Sequence, residues 1–340
     1  MNARDFWYVV AESHELGRKA PIARIVMGEW LVVFRDAEGQ PAILQNRCKH
    51  RAARLSRGTL KDGQLQCAYH GWRYDRAGSV TGVPSEGENF RVTQGRCAKA
   101  YAAVEMDGFV YVRLQDSDHS AETPFRIRHY GEKGWHTTRL QNRFKNNVTN
   151  CVENFIDIPH TVFVHPGIFR KSRKQQVDVT VERKGGWVCA TYSNETDNLG
   201  WFAKFLNPSG AEIKHTDEFF MPNVSCVEYG FGPNRSFIIT SQSVPVSETE
   251  TMVYTDLTWN YGIWTRLATP IVRWQGQAII DQDLEVLADQ MEVIEKYGAD
   301  FSSTASDSIH LYVESIQRVL EKDGNPMDLP DKSTSLSMFI

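Results

Sequence analysis

Residues 48–72, CKHRAARLSRGTLKDGQLQCAYHGW, hold two cysteines and two histidines in two short boxes. The first box is Cys48-x-His50, and after sixteen residues the second follows as Cys67-x-x-His70. Glycines stand near both boxes and no helical period runs through them, which predicts two facing loops, each supplying one thiolate and one imidazole. A structural zinc finger would instead place its histidines on a helix. The stretch therefore predicts a metal centre with two sulfur and two nitrogen ligands.

This ligand set resembles that of a Rieske [2Fe–2S] site, in which two histidines replace two cysteines on one iron. The continuation YHGWRYD, residues 69–75, strengthens the resemblance. The resemblance implies that the cluster is held by Cys48, His50, Cys67 and His70. Two departures are Lys49 and Ala68, because the family usually has proline after each cysteine. Respiratory members also carry a bracing disulfide, but Ala53 and Tyr69 stand at those positions, which favours the oxygenase or ferredoxin branch.

The segments around the boxes predict β structure. Residues 22–46 alternate apolar and polar groups around a turn at 36–39, which is typical of a meander, and GFVYVRL at 108–114 predicts a further strand. The polar stretch 115–124 lacks periodicity and marks a domain boundary. We predict an all-β N-terminal Rieske domain over residues 1–118 and a catalytic domain over residues 119–340.

The second region mixes strands and helices without β-α-β alternation, which predicts an α+β fold. Val177, Val179 and Val181 alternate before Gly185-Gly186, which indicates a hairpin. SFIITSQSVPV and ETMVYTDLTW predict a second hairpin. Apolar residues at helical spacing over 309–320 predict a helix with Gly324 as its cap, and the tail after Pro326 is predicted to be polar and peripheral.

A second ligand constellation follows in KNNVTNCVENFIDIPHTVFVHPG, residues 145–167. The sequence to His160 predicts a helix, on which Asp157 and His160, three residues apart, share a face. His165 precedes Pro166, where we expect the helix to end. Two histidines and one carboxylate with open positions are the ligands of non-haem Fe(II) oxygen chemistry.

The carboxylate ligand is expected far downstream, in WQGQAIIDQDLEVLADQ at 274–290. Asp283 falls on the apolar stripe of this predicted helix, whereas Asp281 and Glu285 face away from it. We therefore predict Asp283 as the third ligand and keep Asp281 as the alternative.

Together the two regions resemble the α subunit of a Rieske non-haem iron oxygenase over nearly the whole chain. Asn154, Asp157, His160 and His165 match the family pattern position by position, and the compact length resembles the dicamba monooxygenase and N- or O-demethylase type. The resemblance implies a helix-grip catalytic domain with an antiparallel sheet, a [2Fe–2S] cluster, Fe(2+) and a head-to-tail homotrimer. It also implies that Asp157, which is not an iron ligand, links His160 to the neighbouring subunit's cluster histidine, the equivalent of His70.

The implied activity is hydroxylation or oxidative demethylation of a small organic, aromatic or heterocyclic substrate with O2. No GxGxxG follows a predicted strand, so electrons are expected from a separate NAD(P)H-dependent reductase or a ferredoxin. Basic residues crowd the first box and predict a docking rim for that partner; they are Arg47, Lys49, Arg51, Arg54, Arg57 and Lys61. Five aromatic residues are candidates for the substrate pocket or for the core, namely Phe219, Phe220, Trp259, Trp264 and Trp274.

Composition excludes other classes. The net charge of −4 over 340 residues provides no basic field for nucleic acid. No apolar stretch reaches the ~20 residues of a membrane helix, and Glu12 and Glu15 interrupt any signal peptide, so we expect a reduced, cytoplasmic protein. Two alternatives stay open: an electron carrier or sensor with a degenerate oxygenase domain, and a zinc-stabilised binding module.

Overall fold

The structure is a computed structural model that describes residues 1–91, 95–118, 120, 123–166, 176–193, 213–232, 235–262 and 265–339. The chain forms two compact units, one of residues 4–126 and one of residues 127–340 with residues 1–3. The boundary predicted after residue 118 falls within the first unit and stays a prediction.

The first unit contains two antiparallel sheets. The six-stranded sheet has the order β1-β10-β9-β4-β3-β2 and the four-stranded sheet has the order β5-β6-β7-β8. The strands are β1 (Trp7–Glu12), β2 (Ile22–Val26), β3 (Glu29–Arg35), β4 (Pro41–Gln45), β5 (Thr59–Lys61), β6 (Gln64–Gln66), β7 (Arg73–Tyr74), β8 (Val80–Gly82), β9 (Ala100–Met106) and β10 (Phe109–Arg113). The predicted meander is confirmed as β2–β3–β4, and the predicted strand at 108–114 as β10.

The described residues of the second unit form one antiparallel sheet of eight strands, in the order β11-β17-β16-β15-β14-β13-β12-β18. The strands are β11 (His136–Phe144), β12 (Gln176–Lys184), β13 (Trp187–Ser193), β14 (Lys214–Phe220), β15 (Val224–Gly230), β16 (Ser236–Ser247), β17 (Glu250–Trp259) and β18 (Lys332–Phe339). Both predicted hairpins are confirmed, as β12–β13 and β16–β17. The sheet and its helices confirm the α+β fold class.

Four α-helices in the described part of the second unit accompany this sheet. They are α1 (Val148–Ile156), α2 (His160–Val164), α3 (Thr269–Tyr297) and α4 (Ser308–Glu321). Helices α1 and α3 pack on the sheet, and a shared core forms around buried groups such as Phe144, Trp259 and Val272. Gly324 ends α4 as predicted, since its N–H donates to the Val319 carbonyl at 2.8 Å.

One local prediction is wrong. The helix predicted through His160 ends at Ile156, and Asp157 has an extended backbone with φ −92° and ψ 111°. Pro159 contributes to the break, because it disfavours a helical Ile158 and has no N–H to donate to the carbonyl of Phe155. The tail predicted to be polar and peripheral forms β18, a mostly exposed strand at the edge of the sheet that pairs with β12.

No helix in the described part of the chain is long and apolar enough to cross a membrane.

Candidate metal centres

The two boxes of the first unit lie in loops between strands. The first follows β4 and the second connects β6 to β7. Each loop folds back on its cysteine: the Cys48 N–H donates to the Ala53 carbonyl at 2.8 Å, and the Cys67 N–H donates to the Trp72 carbonyl at 2.8 Å. Gly71 has φ +70°, a conformation that favours glycine. Strand geometry thus brings together two turns that are far apart in the sequence.

The side chains of the boxes converge. Both cysteines are only 2% exposed, and the rings of His50 and His70 lie 4.5 Å apart between centroids. Burial raises the pKa of the Cys67 thiol, and the adjacent Cys48 contributes to the rise. The Tyr74 hydroxyl lies 3.1 Å from Cys48 Sγ and accepts the Lys49 N–H at 3.0 Å.

These four groups fit an iron–sulfur cluster. Nδ1 of His50 is buried without a hydrogen-bond partner, and loss of hydration together with the charges of His70 and Arg51 lowers the pKa of His50. A neutral imidazole with a free ring nitrogen is a metal ligand, and two buried adjacent thiols become thiolates when a cation lies beside them.

The second constellation is assembled from three elements. His160 begins α2, His165 follows its last residue, and Asp283 lies on the inward face of α3. Their ligand atoms all lie within 4.8 Å of one another. Asp283 Oδ1 is 3.1 Å from His165 Nε2 and 3.6 Å from His160 Nε2. The alternative Asp281 is exposed and instead accepts a hydrogen bond from Gln277.

The opposite edge of each imidazole is also held. His165 Nδ1 is hydrogen-bonded to Gln282 Oε1 at 2.7 Å, whereas His160 Nδ1 lies 3.3 Å from Asp157 Oδ2 without hydrogen-bond geometry. Both Nε2 atoms therefore point at Asp283. Polar groups behind metal-binding histidines fix the tautomer and orientation of the rings in this manner.

A divalent cation fits this place. Asp283 is 4% exposed, and its Oδ1 has no hydrogen-bond partner. Burial lowers the pKa of His160, but Asp157 and Asp283 together outweigh that effect and raise it. The surroundings thus favour positive charge between the rings, and two histidines with one carboxylate are typical of non-haem iron.

The structure adds residues that the sequence reasoning missed. His310 on α4 directs Nε2 toward Asp157 Oδ1 at 3.8 Å. Asn154, Asp157, His310 and Glu153 share a polar cavity, in which Asn154 Nδ2 and Glu153 Oε1 are buried without hydrogen-bond partners. Burial raises the pKa of Glu153 to about 8, and neighbouring carboxylates add to the rise. The sequence signal for His310 was a lone histidine within the amphipathic stripe of the last helix.

A second cavity, mostly apolar, opens directly beside the three converging ligands. Its volume is about 120 Å³; a cavity of about 150 Å³ holds a benzene ring. The wall includes Phe155, Val227, Ile239, Leu257 and Ile280. The cavity therefore suits a small, largely apolar molecule.

None of the four described aromatic pocket candidates contributes to this wall. Phe219 and Trp259 are fully buried in the core, and Trp274 is 71% exposed. Phe220 is half-buried beneath the Arg128 guanidinium. Trp264 lies outside the described residues.

Comparison with known proteins gives the same two parts. Residues 6–105 match the Rieske [2Fe-2S] domain, and residues 144–319, slightly more than half of the chain, match the vanillate O-demethylase oxygenase C-terminal domain. The chain belongs to the Rieske non-haem iron oxygenases, as an α subunit. Within that family its catalytic domain is of the vanillate O-demethylase type.

Individual relatives are more distant. The chain is 33% identical to a tert-butanol monooxygenase/tert-amyl alcohol desaturase oxygenase subunit of Aquincola tertiaricarbonis, over 48% of this chain and 34% of that protein. It is 30% identical to the methylxanthine N1-demethylase NdmA of Pseudomonas putida, over 57% of this chain and 56% of that protein. These matches span between a third and somewhat more than half of the relatives' length.

The fold is shared more widely than the sequence. The structure of dicamba monooxygenase bound to dicamba aligns with a TM-score of 0.82 at 21% identity, covering 94% of this chain and 98% of that one.

Proposed function

We propose that this chain is a terminal oxygenase component, which uses O2 and electrons from a reductase to hydroxylate or oxidatively demethylate a small organic substrate. The observation that carries the proposal is the convergence of His160, His165 and Asp283 at the wall of an apolar cavity. An electron carrier needs no such cavity beside a metal site. The vanillate-type catalytic domain and relatives named as monooxygenases and demethylases support it.

In this proposal Cys48, His50, Cys67 and His70 hold the [2Fe–2S] cluster. His160, His165 and Asp283 hold Fe(2+). When bound, the cluster supplies single electrons and the iron supplies open coordination positions for O2. Asp157 and Gln282 hold the two imidazoles in orientation through Nδ1. The apolar wall excludes water and presents a substrate carbon to the metal position.

Electrons come from a partner protein. The six basic residues of the predicted rim, from Arg47 to Lys61, are all exposed. Such a rim attracts an acidic ferredoxin or reductase domain by long-range electrostatics. A cytoplasmic location, where NAD(P)H-dependent reductases operate, stays part of the proposal.

The proposed assembly is a homotrimer in which Asp157 connects His160 to the neighbouring subunit's cluster. Two features support it: His70 is exposed, and Asp157 lies at the polar cavity with a carboxylate oxygen toward His310. We expect Asp157→Asn to keep both metals and to accept electrons, yet to lose most product formation. Metal analysis, reduction by the reductase and product yield measure these three properties, and a wild-type yield would contradict the proposed path.

The activity itself is tested with ¹⁸O2, a surrogate reductase and a panel of small aryl and heterocyclic substrates, with products detected by mass. We expect an oxygenated product that carries the label, or a demethylated product with labelled formaldehyde trapped before exchange. His165→Ala should keep the cluster and form no product. Product without label, or product from His165→Ala, would refute the proposal.

A further inference from the structure

On the inner face of the catalytic sheet, directly paired residues of neighbouring strands form a row that runs across the sheet. This row contains one carboxylate among apolar residues. Asp217 on β14 stands opposite Ala190 on one side and Val227 on the other. The row continues through Ile239 and Leu257. Apolar groups are expected throughout such a row, because one face of the sheet is packed. A buried carboxylate in this row is therefore unexpected and indicates a specific role.

Asp217 is 2% exposed and contributes to the wall of the apolar cavity. The same cavity is bounded by His160, His165 and Asp283, so Asp217 shares one chamber with the metal site. Among the described residues that line it, none is Lys or Arg. Away from the metal ligands, an anionic group of a ligand beside Asp217 would therefore meet a carboxylate and no guanidinium or ammonium cation.

Two side chains hold Asp217 in place. His215 Nε2 lies 3.1 Å from Oδ1, and the Tyr192 hydroxyl donates to Oδ2 at 2.9 Å. The His215 ring is itself stacked between Tyr192 and Tyr229, with centroids 4.5 and 4.1 Å away. This stack follows from the register, since the three residues are cross-strand neighbours. A carboxylate accepts about four hydrogen bonds, so Asp217 keeps acceptor capacity toward the cavity.

A second acceptor that lines the chamber lies on α3. Gln275 is 8% exposed and lines the cavity, and its Oε1 is buried with no hydrogen-bond partner. It precedes Asp283 by two intervals of four residues, so both lie on one face of the helix. An unpaired buried amide oxygen is unfavourable unless a ligand supplies the missing donor.

We propose that Asp217 and Gln275 are specificity-determining residues that bind a hydrogen-bond donor of the substrate. The substrate class is a small apolar molecule, about one ring in size, that bears an amine, an amide N–H or a hydroxyl. A carboxylate or sulfonate placed beside Asp217 is disfavoured by like-charge repulsion in surroundings of low dielectric. His215 and Tyr192 are positioning residues that act through Asp217. Calling the ligand a substrate rests on the proposed function; the binding preference does not.

Three probes of one ring test the preference: benzylamine, benzyl alcohol and benzoate. Affinity is measured by calorimetry on the intact protein with its cluster but without the mononuclear iron, to which a carboxylate could bind directly, and without O2 or reductase. Because hydrogen bonds to charged groups are strong, we expect benzylamine and benzyl alcohol to bind about tenfold or more tightly than benzoate. Equal affinities, tighter binding of benzoate, or no binding of any probe would overturn the inference.

Single substitutions test whether Asp217 and Gln275 cause the preference for hydrogen-bond donors. Asp217→Asn keeps the shape and removes the charge, so the amine-to-benzoate ratio should fall to within about threefold. Asp178→Asn, the same change at an exposed position of β12, should keep the wild-type ratio. Gln275→Leu should weaken benzyl alcohol about fivefold or more and leave benzoate unchanged. Thermal unfolding shows whether each variant folds. If Asp217→Asn does not fold, the test rests on Gln275→Leu. Unchanged binding of benzyl alcohol by Gln275→Leu would then refute the inference.

The two proposals fail separately. A clear preference in a protein that forms no oxygenated product would overturn the oxygenase proposal alone. Labelled product from a protein that binds the three probes equally would overturn only the assignment of Asp217 and Gln275.

Discussion

Replacing Gln282 should weaken iron binding although Gln282 is not a proposed ligand. Its Oε1 lies 2.7 Å from Nδ1 of His165, a ring that is only 1% exposed. The contact fixes the tautomer with the proton on Nδ1, which leaves the Nε2 lone pair directed at the position beside Asp283. Gln282→Leu keeps the size of the side chain and removes this acceptor.

The expected loss of iron affinity follows from this single hydrogen bond. Removing a polar partner behind a metal-bound histidine costs about 10- to 100-fold in metal affinity. This corresponds to roughly 1.4–2.7 kcal/mol. Gln282→Glu should have the opposite sign, because a carboxylate at the same place increases the basicity of the ring and tightens binding.

The assay is an anaerobic titration of chelator-treated protein with Fe(II) against a competing chelator. The visible absorption of the cluster serves as an internal control, since it should not change. Gln277→Leu is the matched control: it lies on the same helix and contacts Asn142 and Asp281 rather than a ligand. Wild-type affinity in Gln282→Leu, or an equal loss in Gln277→Leu, would refute the reasoning.

Three further changes probe other parts of the molecule. Cys48→Ser should abolish the rhombic paramagnetic signal of the dithionite-reduced cluster while the fold largely survives, and an unchanged signal would contradict the ligand assignment. Reduction by the partner protein should slow as salt rises, and Arg54→Glu with Arg57→Glu should slow it further at low salt; salt-independent rates would rule out the docking rim. Glu153 has a folded-state pKa of about 8, above its ordinary 4.5, so its contribution to stability is lost as pH rises between these values. Glu153→Gln should therefore flatten the decline of the unfolding midpoint from pH 5 to pH 9, and an unaltered decline would show that Glu153 is not its source.

The sequence alone predicted those ligands of the two metal centres that are close together in the chain. Cys48 with His50, and Cys67 with His70, are close in the chain, so one short loop suffices to place each pair. The same holds for His160 and His165, which are the first residue of one short helix and the residue just after its end. Alternation of apolar residues also predicted the meander and both hairpins, because side chains of a strand point to opposite faces with a period of two.

Local spacing was a poorer guide where the backbone could bend. Asp157 and His160 were predicted to share a helix face, yet Pro159 separates them into two elements and the two side chains meet across a bend. The polar tail lacked a strong apolar signal, and it became β18 because β12 had an open edge for pairing. Both outcomes depend on neighbours that a single segment does not contain.

Only the tertiary structure decided which distant groups share a chamber. The apolar stripe had already favoured Asp283 over Asp281, but only the packing of α3 on the sheet brings Asp283 beside the two histidines. Asp217 and Gln275 meet the same cavity from a strand and a helix that no short motif connects. The physical reason is that ligand spacing within a loop is set by bonds along the chain, whereas the register of a sheet and the rotation of a helix are set by burial of the whole apolar surface.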